Sequence, residues 1–320
     1  MVAMSVDFMR TEPIRGFQFA GKKILVTGGS GFIGSHLCRR LCNSGAEVHA
    51  ISRTKRSGDR GECHWWQGDL AEPHRVQELL KMIEPELIFH LASEVTGARE
   101  LEFVIPTFRS NLMSTVNVLA AAKVVGCRRI ILTGSLEEPT ELQSIPCSPY
   151  AAAKWSGGAY GRMFHALYEL PVVILRLFMV YGPEQQDLKK IIPYVTLSLL
   201  KGEAPRIGTG GREVDWVYVE DVVEALLATA SANDIDGGTI DIGSGVLVTI
   251  RAVVEQLVSL INPRIEPLFG ALPDRPLEQV RMADVARSTA MLGWKPTTPL
   301  GDGLKQTIGW YERQLKHGIL

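Results

Sequence analysis

The sequence predicts an α/β protein built on a doubly wound parallel sheet with helices on both faces. Three observations support this prediction. An apolar run at residues 24–26 ends in a glycine-rich turn and is followed by a helical pattern. Strand-like and helix-like segments then alternate along the first half of the chain. The 320 residues, 46% of them hydrophobic and 22% charged, suffice for one large domain or a domain with a smaller lobe.

The first strand–turn–helix unit is ILVTGGSGFIGSHL, which spans residues 24–37. Its glycines have the spacing G-x-x-G-x-x-G between a buried strand and a helix. A Cβ at such a turn would keep a pyrophosphate away from the backbone, and the helix N-terminus offers its N–H groups to phosphates. We therefore predict a dinucleotide site at Gly28, Ser30, Gly31, Phe32, Ile33 and Gly34.

The second strand, Glu47–Ser52, ends without the carboxylate that binds the adenosine ribose diol in NAD sites. Arg53 stands there instead, followed by Lys55 and Arg56. Basic residues beside a ribose suit a 2′-phosphate, so Arg53 favours NADP(H) over NAD(H). A solvated basic loop is the alternative interpretation.

The third and fourth strands predict where the rest of the cofactor passes. Asp69 follows a short strand in WQGDL, where its carboxylate hydrogen-bonds the adenine amino group, caps the helix that starts at Pro73, or does both. The fourth strand lies in PELIFHLAS and runs to small residues that let a cofactor approach. We interpret His90 in that strand as a packed residue rather than an acid or base. A helix is predicted over 111–125.

The fifth strand, residues 130–135, ends in the hydroxyl residues Thr133 and Ser135. The site of a parallel sheet lies at the carboxyl ends of its strands, so both hydroxyls are expected at that edge. Tyr150 and Lys154 form Y-x-x-x-K after a proline that is typical of a helix start. Their spacing places both side chains on one helix face.

These residue types suit proton transfer coupled to hydride transfer. A tyrosine hydroxyl with a pKa of about 10 is a poor base at neutral pH. An adjacent ammonium and a nicotinamide charge both favour tyrosinate and are expected to lower the pKa of Tyr150. Ser135 would share a hydrogen bond with the same oxygen, and Lys154 would hold the nicotinamide ribose.

Composition excludes several other functions. The net charge of −1 gives no case for a nucleic-acid partner or an anionic membrane surface. The five cysteines form no C-x-x-C pair and the seven histidines show no ligand spacing, so we expect no metal and a reduced cytoplasmic setting. The apolar run VVILRLFMVY, which contains Arg176, is too short for a bilayer and is predicted as one buried parallel strand. Residues 1–20 lack the apolar core of a signal peptide and are predicted as an N-terminal extension.

These motifs together resemble the extended short-chain dehydrogenase/reductases of the nucleotide-sugar epimerase/dehydratase family. The resemblance covers about residues 22–312 and also rests on RLFMVYGP, DWVYVEDVVEAL, IDIGSG and LGWKP. It implies Ser135, Tyr150, Lys154 and Glu137 as the catalytic set. It further implies cofactor contacts from Asp69, Leu70, Leu91, Ala92, Ser93, Asn111, Thr133, Tyr150 and Lys154.

The resemblance also implies how the chain is divided. A Rossmann-like dinucleotide-binding domain would comprise residues 21–183, with 212–245 returning to it. A smaller C-terminal α/β substrate lobe would comprise residues 184–211 and 246–320. A nucleoside-diphosphate sugar would lie between them, and homodimers would pack the helices near 111–125 and 151–169.

Two departures from the family pattern bear on the reaction. Dehydratases of the family place an acid directly after the hydroxyl residue at the position of Ser135, but this chain has Leu136, followed by Glu137. Leucine delivers no proton to a leaving hydroxyl, so dehydration is disfavoured. Glu137 is either a proton carrier or a surface residue. Met179 replaces an asparagine that many members place near the substrate, which removes one polar contact.

A third departure concerns the phosphates of the substrate. Val214 stands where many members carry an arginine just before the aspartate at position 215. Arg212 lies two positions earlier, on the same side of an extended strand, and is one candidate replacement. Arg281 and Arg275 are the others, and a surface role is the alternative for each.

The sequence therefore predicts an NADPH-dependent ketoreductase acting at C4 of a 4-keto-6-deoxyhexose nucleotide. The alternative is a nucleoside-diphosphate-sugar 4-epimerase, similar to UDP-glucose 4-epimerase, that does not consume its cofactor. A reductase of small carbonyl metabolites and a non-catalytic NADP-binding regulator are the remaining classes. The complete set of Ser135, Tyr150 and Lys154 argues against a regulator, which has no use for a proton donor.

Overall fold

The computed structural model describes residues 18–56, 63–139 and 144–320. The strands in these ranges are β1 (Lys23–Thr27), β2 (Glu47–Ser52), β3 (His64–Gln67), β4 (Leu87–His90), β5 (Arg129–Ser135), β6 (Val172–Leu177), β7 (Met179–Tyr181), β8 (Glu213–Tyr218), β9 (Thr239–Ile242) and β10 (Leu247–Thr249). The α-helices are α1 (Phe32–Asn43), α2 (Pro73–Ile83), α3 (Val104–Thr107), α4 (Ser114–Val125), α5 (Pro149–Tyr168), α6 (Ile191–Leu200), α7 (Val219–Ser231), α8 (Ile250–Ile261), α9 (Val285–Leu292) and α10 (Leu300–Lys316).

Seven strands of the described chain form one parallel sheet in the order β3-β2-β1-β4-β5-β6-β9. The chain winds outward from β1 in one direction and from β4 in the other. The order therefore reverses between β1 and β4, which is where a doubly wound sheet opens a crevice for a ligand. The predicted Rossmann-like class is confirmed.

Both faces of this sheet are buried, which explains the continuous apolar runs in the sequence. Ile24 and Val26 of β1 contribute to a core with α1, α7 and α9. Leu25, pointing to the opposite face, packs with residues of α2, α4 and α5. Alternate residues of β1 thus pack against the helices on opposite faces of the sheet.

The apolar run that starts at Val172 is two strands rather than the single strand that the sequence predicts. β6 pairs with β5 and β9 up to Leu177, and the Phe178 N–H then donates to Ile242 O at 2.9 Å. Beyond Phe178 the chain leaves the main sheet, and β7 pairs in parallel with β8. A uniformly apolar run carries no signal for this change of partner, because every residue in it suits a buried strand.

A second, three-stranded sheet has the order β10-β8-β7, with β10 antiparallel to β8. It packs with α6, α8 and α10 around a separate core that includes Tyr181, Val195, Trp216 and Val254. Residues 219–242 instead pack on the main sheet as α7 and β9. The division into a dinucleotide-binding domain and a substrate lobe, with its boundaries, stays a prediction.

Two smaller predictions concern the chain ends and the membrane. The predicted extension of residues 1–20 falls largely outside the described residues, since these begin at residue 18, and Phe19 packs against the core with α1. Among the helices of the described ranges, none is long and apolar enough to cross a membrane.

Candidate active site

The glycine turn after β1 permits close approach to its backbone. Gly28 has φ +71°, and a Cβ there would lie 2.7 Å from Ala92 N. A Cβ at Gly34 would overlap Gly28 O, so α1 packs directly on the turn. Gly31 is the N-cap of α1 and supplies no capping side chain. The cradle that glycine leaves and the helix N-terminus behind it fit the pyrophosphate of a dinucleotide.

His90, at the end of β4, is a packed residue as predicted. Thr115 Oγ1 donates to Asn111 O at 2.6 Å, so it accepts from His90 Nε2 at 3.0 Å. His90 Nδ1 therefore accepts from Thr27 Oγ1 at 2.8 Å. Burial, and to a lesser extent Lys154, lower the pKa of His90 to about 3, so its ring is neutral at physiological pH.

Asn111 holds the segment that follows β4. Its Oδ1 accepts from Glu94 N at 2.7 Å and from Ser93 Oγ at 3.2 Å, and its Nδ2 donates to Glu94 O at 3.0 Å. The sequence predicted a helix that begins at Asn111. In the structure Asn111 lies in a π-helical turn, Phe108–Met113, and α4 begins after this turn at Ser114. Such turns are frequent at functional sites. A direct cofactor contact from this buried amide stays a prediction.

The structure brings Ser135, Tyr150 and Lys154 together at the carboxyl edge of the sheet. Ser148 caps α5 by accepting from Ala151 N at 3.1 Å, which fixes where the helix begins. The side chains of Ser135 and Ser93 lie next to Tyr150 and act to lower the pKa of its hydroxyl. Lys154 Nζ lies 5.9 Å from the centre of the Tyr150 ring. The predicted trio is therefore an assembled cluster, and Ser93 belongs to it.

The hydroxyl group of Ser135 is oriented by the turn that follows it. Glu137 N donates to Ser135 Oγ at 3.2 Å, which occupies a lone pair and leaves the hydroxyl proton for Tyr150. Glu137 is half-buried and accepts a hydrogen bond from Cys147 Sγ at 3.7 Å. Its charge acts on Tyr150. This position beside Tyr150 favours the proton-carrier interpretation of Glu137 over the surface one, and the role itself stays a prediction.

The expected lowering of the Tyr150 pKa by Lys154 is wrong for the protein alone. Burial raises the pKa of Tyr150 well above its usual value, and the charges of Glu137 and Glu138 add to this rise. The side chains of Ser135 and Ser93 oppose it. Burial also lowers the pKa of Lys154 to about 8, because a desolvated ammonium is unfavourable. Tyr150 is thus a neutral phenol until another positive charge reaches the site.

The adenosine end of the site shows one correction. Asp69 Oδ1 accepts from Ala71 N at 2.9 Å, while the N-cap residue of α2 is Glu72, so Asp69 is not the helix cap. The adenine contact of Asp69 stays a prediction, as does that of Leu70, which is buried beside it. Arg53 is exposed at the carboxyl end of β2. The guanidinium of Arg56 lies 5.3 Å from the Trp65 ring centre, and the contact of Arg53 with a 2′-phosphate stays a prediction.

The predicted substrate residues have intramolecular partners. Arg212 pairs with Glu278 Oε2 at 2.9 Å and donates to Gln279 O at 3.0 Å. Arg281 lies 3.6 Å from Asp241 Oδ2. Met179 is half-buried in β7, against the cores of both sheets. Their contacts with a substrate stay predictions.

Arg275, the other candidate, reaches from the C-terminal segment to the loop after β4. Its guanidinium occupies the space that a Cβ at Gly97 would need. The C-terminal segment and the loop after β4 therefore meet at Gly97 and Arg275, close to the segment that Asn111 holds. This contact could not be predicted from the sequence, because the two residues are 178 positions apart in the chain.

Two buried carboxylates, Asp215 and Glu138, were given no role by the sequence prediction. Asp215 accepts four hydrogen bonds, from Ser244 N, Ser244 Oγ, Gly245 N and Ala283 N, and so ties β8 to the loops beside the site. Glu138 is buried and accepts from Ser135 N at 2.7 Å. Asp215 stands in the motif DWVYVED and was detectable there, whereas nothing periodic marks Glu138. Within the described ranges, the structure shows no cluster of three residues suited to a metal ion.

This fold and site match known proteins over nearly the whole chain. Residues 24–243 match the model of the NAD dependent epimerase/dehydratase family. A UDP-glucose 4-epimerase of Mycolicibacterium smegmatis is 29% identical, and the match covers 91% of this chain and 99% of that protein. A dTDP-D-glucose 4,6-dehydratase of Mus musculus is 26% identical, with 91% and 89% covered. The structure of MoeE5 in complex with UDP-glucuronic acid and NAD is 32% identical with a TM-score of 0.80, and covers 91% of this chain and 99% of its own.

The fold, the glycine turn and the tyrosine–lysine pair define an enzyme of the extended short-chain dehydrogenase/reductase class. Because the family model matches well over half of its residues, the chain belongs to the NAD dependent epimerase/dehydratase family. The family resemblance predicted from the sequence is thereby confirmed.

Proposed function

We propose that this protein oxidises and reduces C4 of a nucleoside-diphosphate sugar and that it is a 4-epimerase. The observation that carries the proposal is the cluster of Ser135, Tyr150 and Lys154 at the carboxyl edge of the sheet, beside the glycine turn. The sequence alone favoured a ketoreductase. The nearly full-length similarity to a UDP-glucose 4-epimerase supports the alternative, and we propose it first for that reason.

Tyr150 exchanges a proton with the C4 hydroxyl of the sugar. When bound, the nicotinamide ring accepts or donates the hydride and brings a positive charge beside the phenol. That charge lowers the Tyr150 pKa, which burial raises in the protein alone. Ser135 donates to the phenolate oxygen, and Lys154 holds the nicotinamide ribose from the same face of α5.

Dehydration is disfavoured by the position of Leu136 as well as by its chemistry. Its side chain is buried in the core that α1 and α7 share, and its N–H donates to Leu177 O at 2.9 Å. An acid in that place would extend into the apolar core. Glu137, the next residue, is the carboxylate that acts on Tyr150 instead.

Arg53 is the observation that keeps a second candidate, the NADPH-dependent 4-ketoreductase. It is exposed where a carboxylate would bind a ribose diol, so a 2′-phosphate is the better partner there. NADPH is the common reductant for a reaction that consumes its cofactor. We propose NADP(H) as the cofactor on this ground, although MoeE5 is in complex with NAD.

Ultraviolet absorbance and product analysis separate the two candidates. Conversion of UDP-glucose to UDP-galactose without loss of reduced cofactor identifies an epimerase. Stoichiometric loss of NADPH with a 4-keto-6-deoxyhexose nucleotide identifies a reductase. Tyr150→Phe should reduce either reaction at least about a hundredfold while thermal unfolding stays unchanged. Turnover of a broad sugar-nucleotide panel no better than this variant would overturn the enzymatic proposal.

We also propose a homodimer through α4 and α5. Large apolar side chains are exposed on or next to these helices, namely Val124, Phe108, Tyr160, Leu167 and Tyr168. Several large exposed apolar side chains on two neighbouring helices suit an interface between protein chains. Light scattering should give twice the chain mass of 35.2 kDa, and a mass of one chain would contradict the proposal.

A further inference from the structure

Glu138 is a buried carboxylate that the proposed reaction does not use directly. It is 3% exposed and stands three residues after Ser135. Its Oε1 accepts from Ser135 N at 2.7 Å, and its own N–H donates to Ser135 O at 3.0 Å. Both backbone polar groups of the serine are therefore bonded to this one residue.

The sequence around Glu138 leaves room for this contact. A Cβ at Gly134 would overlap Glu138 Oε1, so glycine at the penultimate position of β5 is what admits the carboxylate. Gly134 has no other evident requirement, since its φ is not in the left-handed region. The glycine and the glutamate thus act as a pair.

A row of alternating charges fixes Glu138 from the other side. Its Oε2 lies 3.5 Å from Arg176 Nε on β6. Arg176 Nη1 pairs with Asp241 Oδ1 on β9 at 2.7 Å, and Asp241 Oδ2 lies 3.6 Å from Arg281 Nη2. Two carboxylates balance two guanidinium groups in this row. Buried charges require such pairing, so the position of Glu138 is tightly determined.

The charge of Glu138 also acts on both members of the tyrosine–lysine pair. It raises the pKa of Lys154, against burial, which lowers it to about 8. It raises the pKa of Tyr150 as well. The charged or titratable groups facing this cluster in the described chain include Glu137 in its own turn, Tyr150 and Lys154 on α5, His90 on β4, Arg176 on β6, Asp241 on β9 and Arg281 before α9.

We propose that Glu138 is the positioning residue of this site: its carboxylate, held by Arg176, fixes the backbone of Ser135 so that the serine hydroxyl faces Tyr150. A second effect follows from its charge, which favours the ammonium form of Lys154. The consequence for turnover rests on the proposed function. The consequence for Ser135 does not, because the hydrogen bond exists without substrate.

Two variants separate position from charge. Glu138→Gln keeps the shape and still accepts from Ser135 N, but it removes the negative charge. Glu138→Ala removes both. Glu86→Gln, which disrupts a surface ion pair with Lys22, is the control for the loss of a carboxylate.

The first measurement needs no substrate. In protein labelled with ¹⁵N-serine, the Ser135 amide is assigned by its absence in Ser135→Ala. An amide bonded to a carboxylate should resonate far downfield and exchange slowly with solvent. Glu138→Ala should remove both properties, and Glu138→Gln should retain protection with a smaller shift. An unchanged Ser135 resonance in Glu138→Ala would overturn the proposal whatever the reaction proves to be.

The second measurement is the pH dependence of turnover. Glu138→Gln should lower kcat by about tenfold with KM for the sugar nucleotide unchanged, and Glu138→Ala should lower kcat further. Without the negative charge Lys154 loses its proton at lower pH, so the alkaline limb of Glu138→Gln should move down by about one pH unit. A profile that matches the wild type and Glu86→Gln would refute the effect on Lys154. Absence of turnover in the wild type would instead refute the proposed function and leave the amide result standing.

Discussion

Lys154 Nζ donates to the carbonyl oxygen of Thr133 at 2.9 Å. This bond joins α5 to the carboxyl end of β5 and leaves the ammonium 5.9 Å from the centre of the Tyr150 ring. The amine is thereby held at the edge of the sheet, where a ribose bound along that edge would meet it. Burial is the main reason why the pKa of Tyr150 is raised although this amine is nearby.

Lys154→Met should reduce both turnover and cofactor affinity, because it removes the donor for the ribose and the positive charge near Tyr150. We expect a loss of about a hundredfold in kcat/KM. Steady-state kinetics and fluorescence titration with the reduced cofactor measure the two effects. Lys81→Met, at an exposed position of α2, is the control. If neither quantity changes, the assignment of the site is wrong.

Arg53→Asp should weaken NADPH binding far more than NADH binding. The new carboxylate repels a 2′-phosphate but accepts from a ribose diol. A loss of about 2 kcal/mol for NADPH, near thirtyfold in Kd, is expected from one charge-assisted contact. Calorimetric titration with both cofactors measures it, and Arg56→Asp, whose guanidinium lies over Trp65, is the comparison. Equal losses for the two cofactors would show that Arg53 does not contact the 2′-phosphate.

His90 should make the folded state sensitive to acid. Its pKa is about 3 in the folded protein and near ~6.5 unfolded, so the unfolded chain binds more protons between these values. Stability therefore falls as pH falls through that window, by up to about 5 kcal/mol. His90→Gln should flatten this part of the curve, although it is less stable at pH 7 because the Thr27 and Thr115 hydrogen bonds weaken.

Urea unfolding at a series of pH values measures this effect. His74→Gln, at an exposed position of α2, should leave the curve unchanged. A curve for His90→Gln that is parallel to the wild type between pH 3 and 6 would contradict the neutral, buried state of the ring.

Gly34→Ala should destabilise the fold and weaken the cofactor site together. The added Cβ would overlap Gly28 O, so α1 must move away from the glycine turn. A cost of about 2 kcal/mol or more is expected for such overpacking. Gly309→Ala in α10 is the control, since its Cβ would meet nothing closer than 3.6 Å, and helix propensity predicts a small gain in stability. Equal melting temperatures for the two variants would contradict the close packing of α1 on the turn.

The sequence by itself determined the main sheet, the glycine turn and the tyrosine–lysine pair. These features are local. The alternation of strands and helices, the glycine spacing and the tyrosine–lysine spacing can each be recognised in a short segment of the sequence. Parallel strands also bring their carboxyl ends to one edge, so Ser135 could be expected beside Tyr150 without coordinates.

The tertiary structure alone decided what these residues contact. The change of sheet at Phe178 follows no sequence period, and neither does the hydrogen bond between Glu138 and the Ser135 backbone. The ion pairs of Arg212 and Arg281 join segments that are distant in the chain. The same holds for protonation, because desolvation depends on every element packed around a group. Burial raises the pKa of Tyr150 where its neighbours in the sequence suggested the opposite.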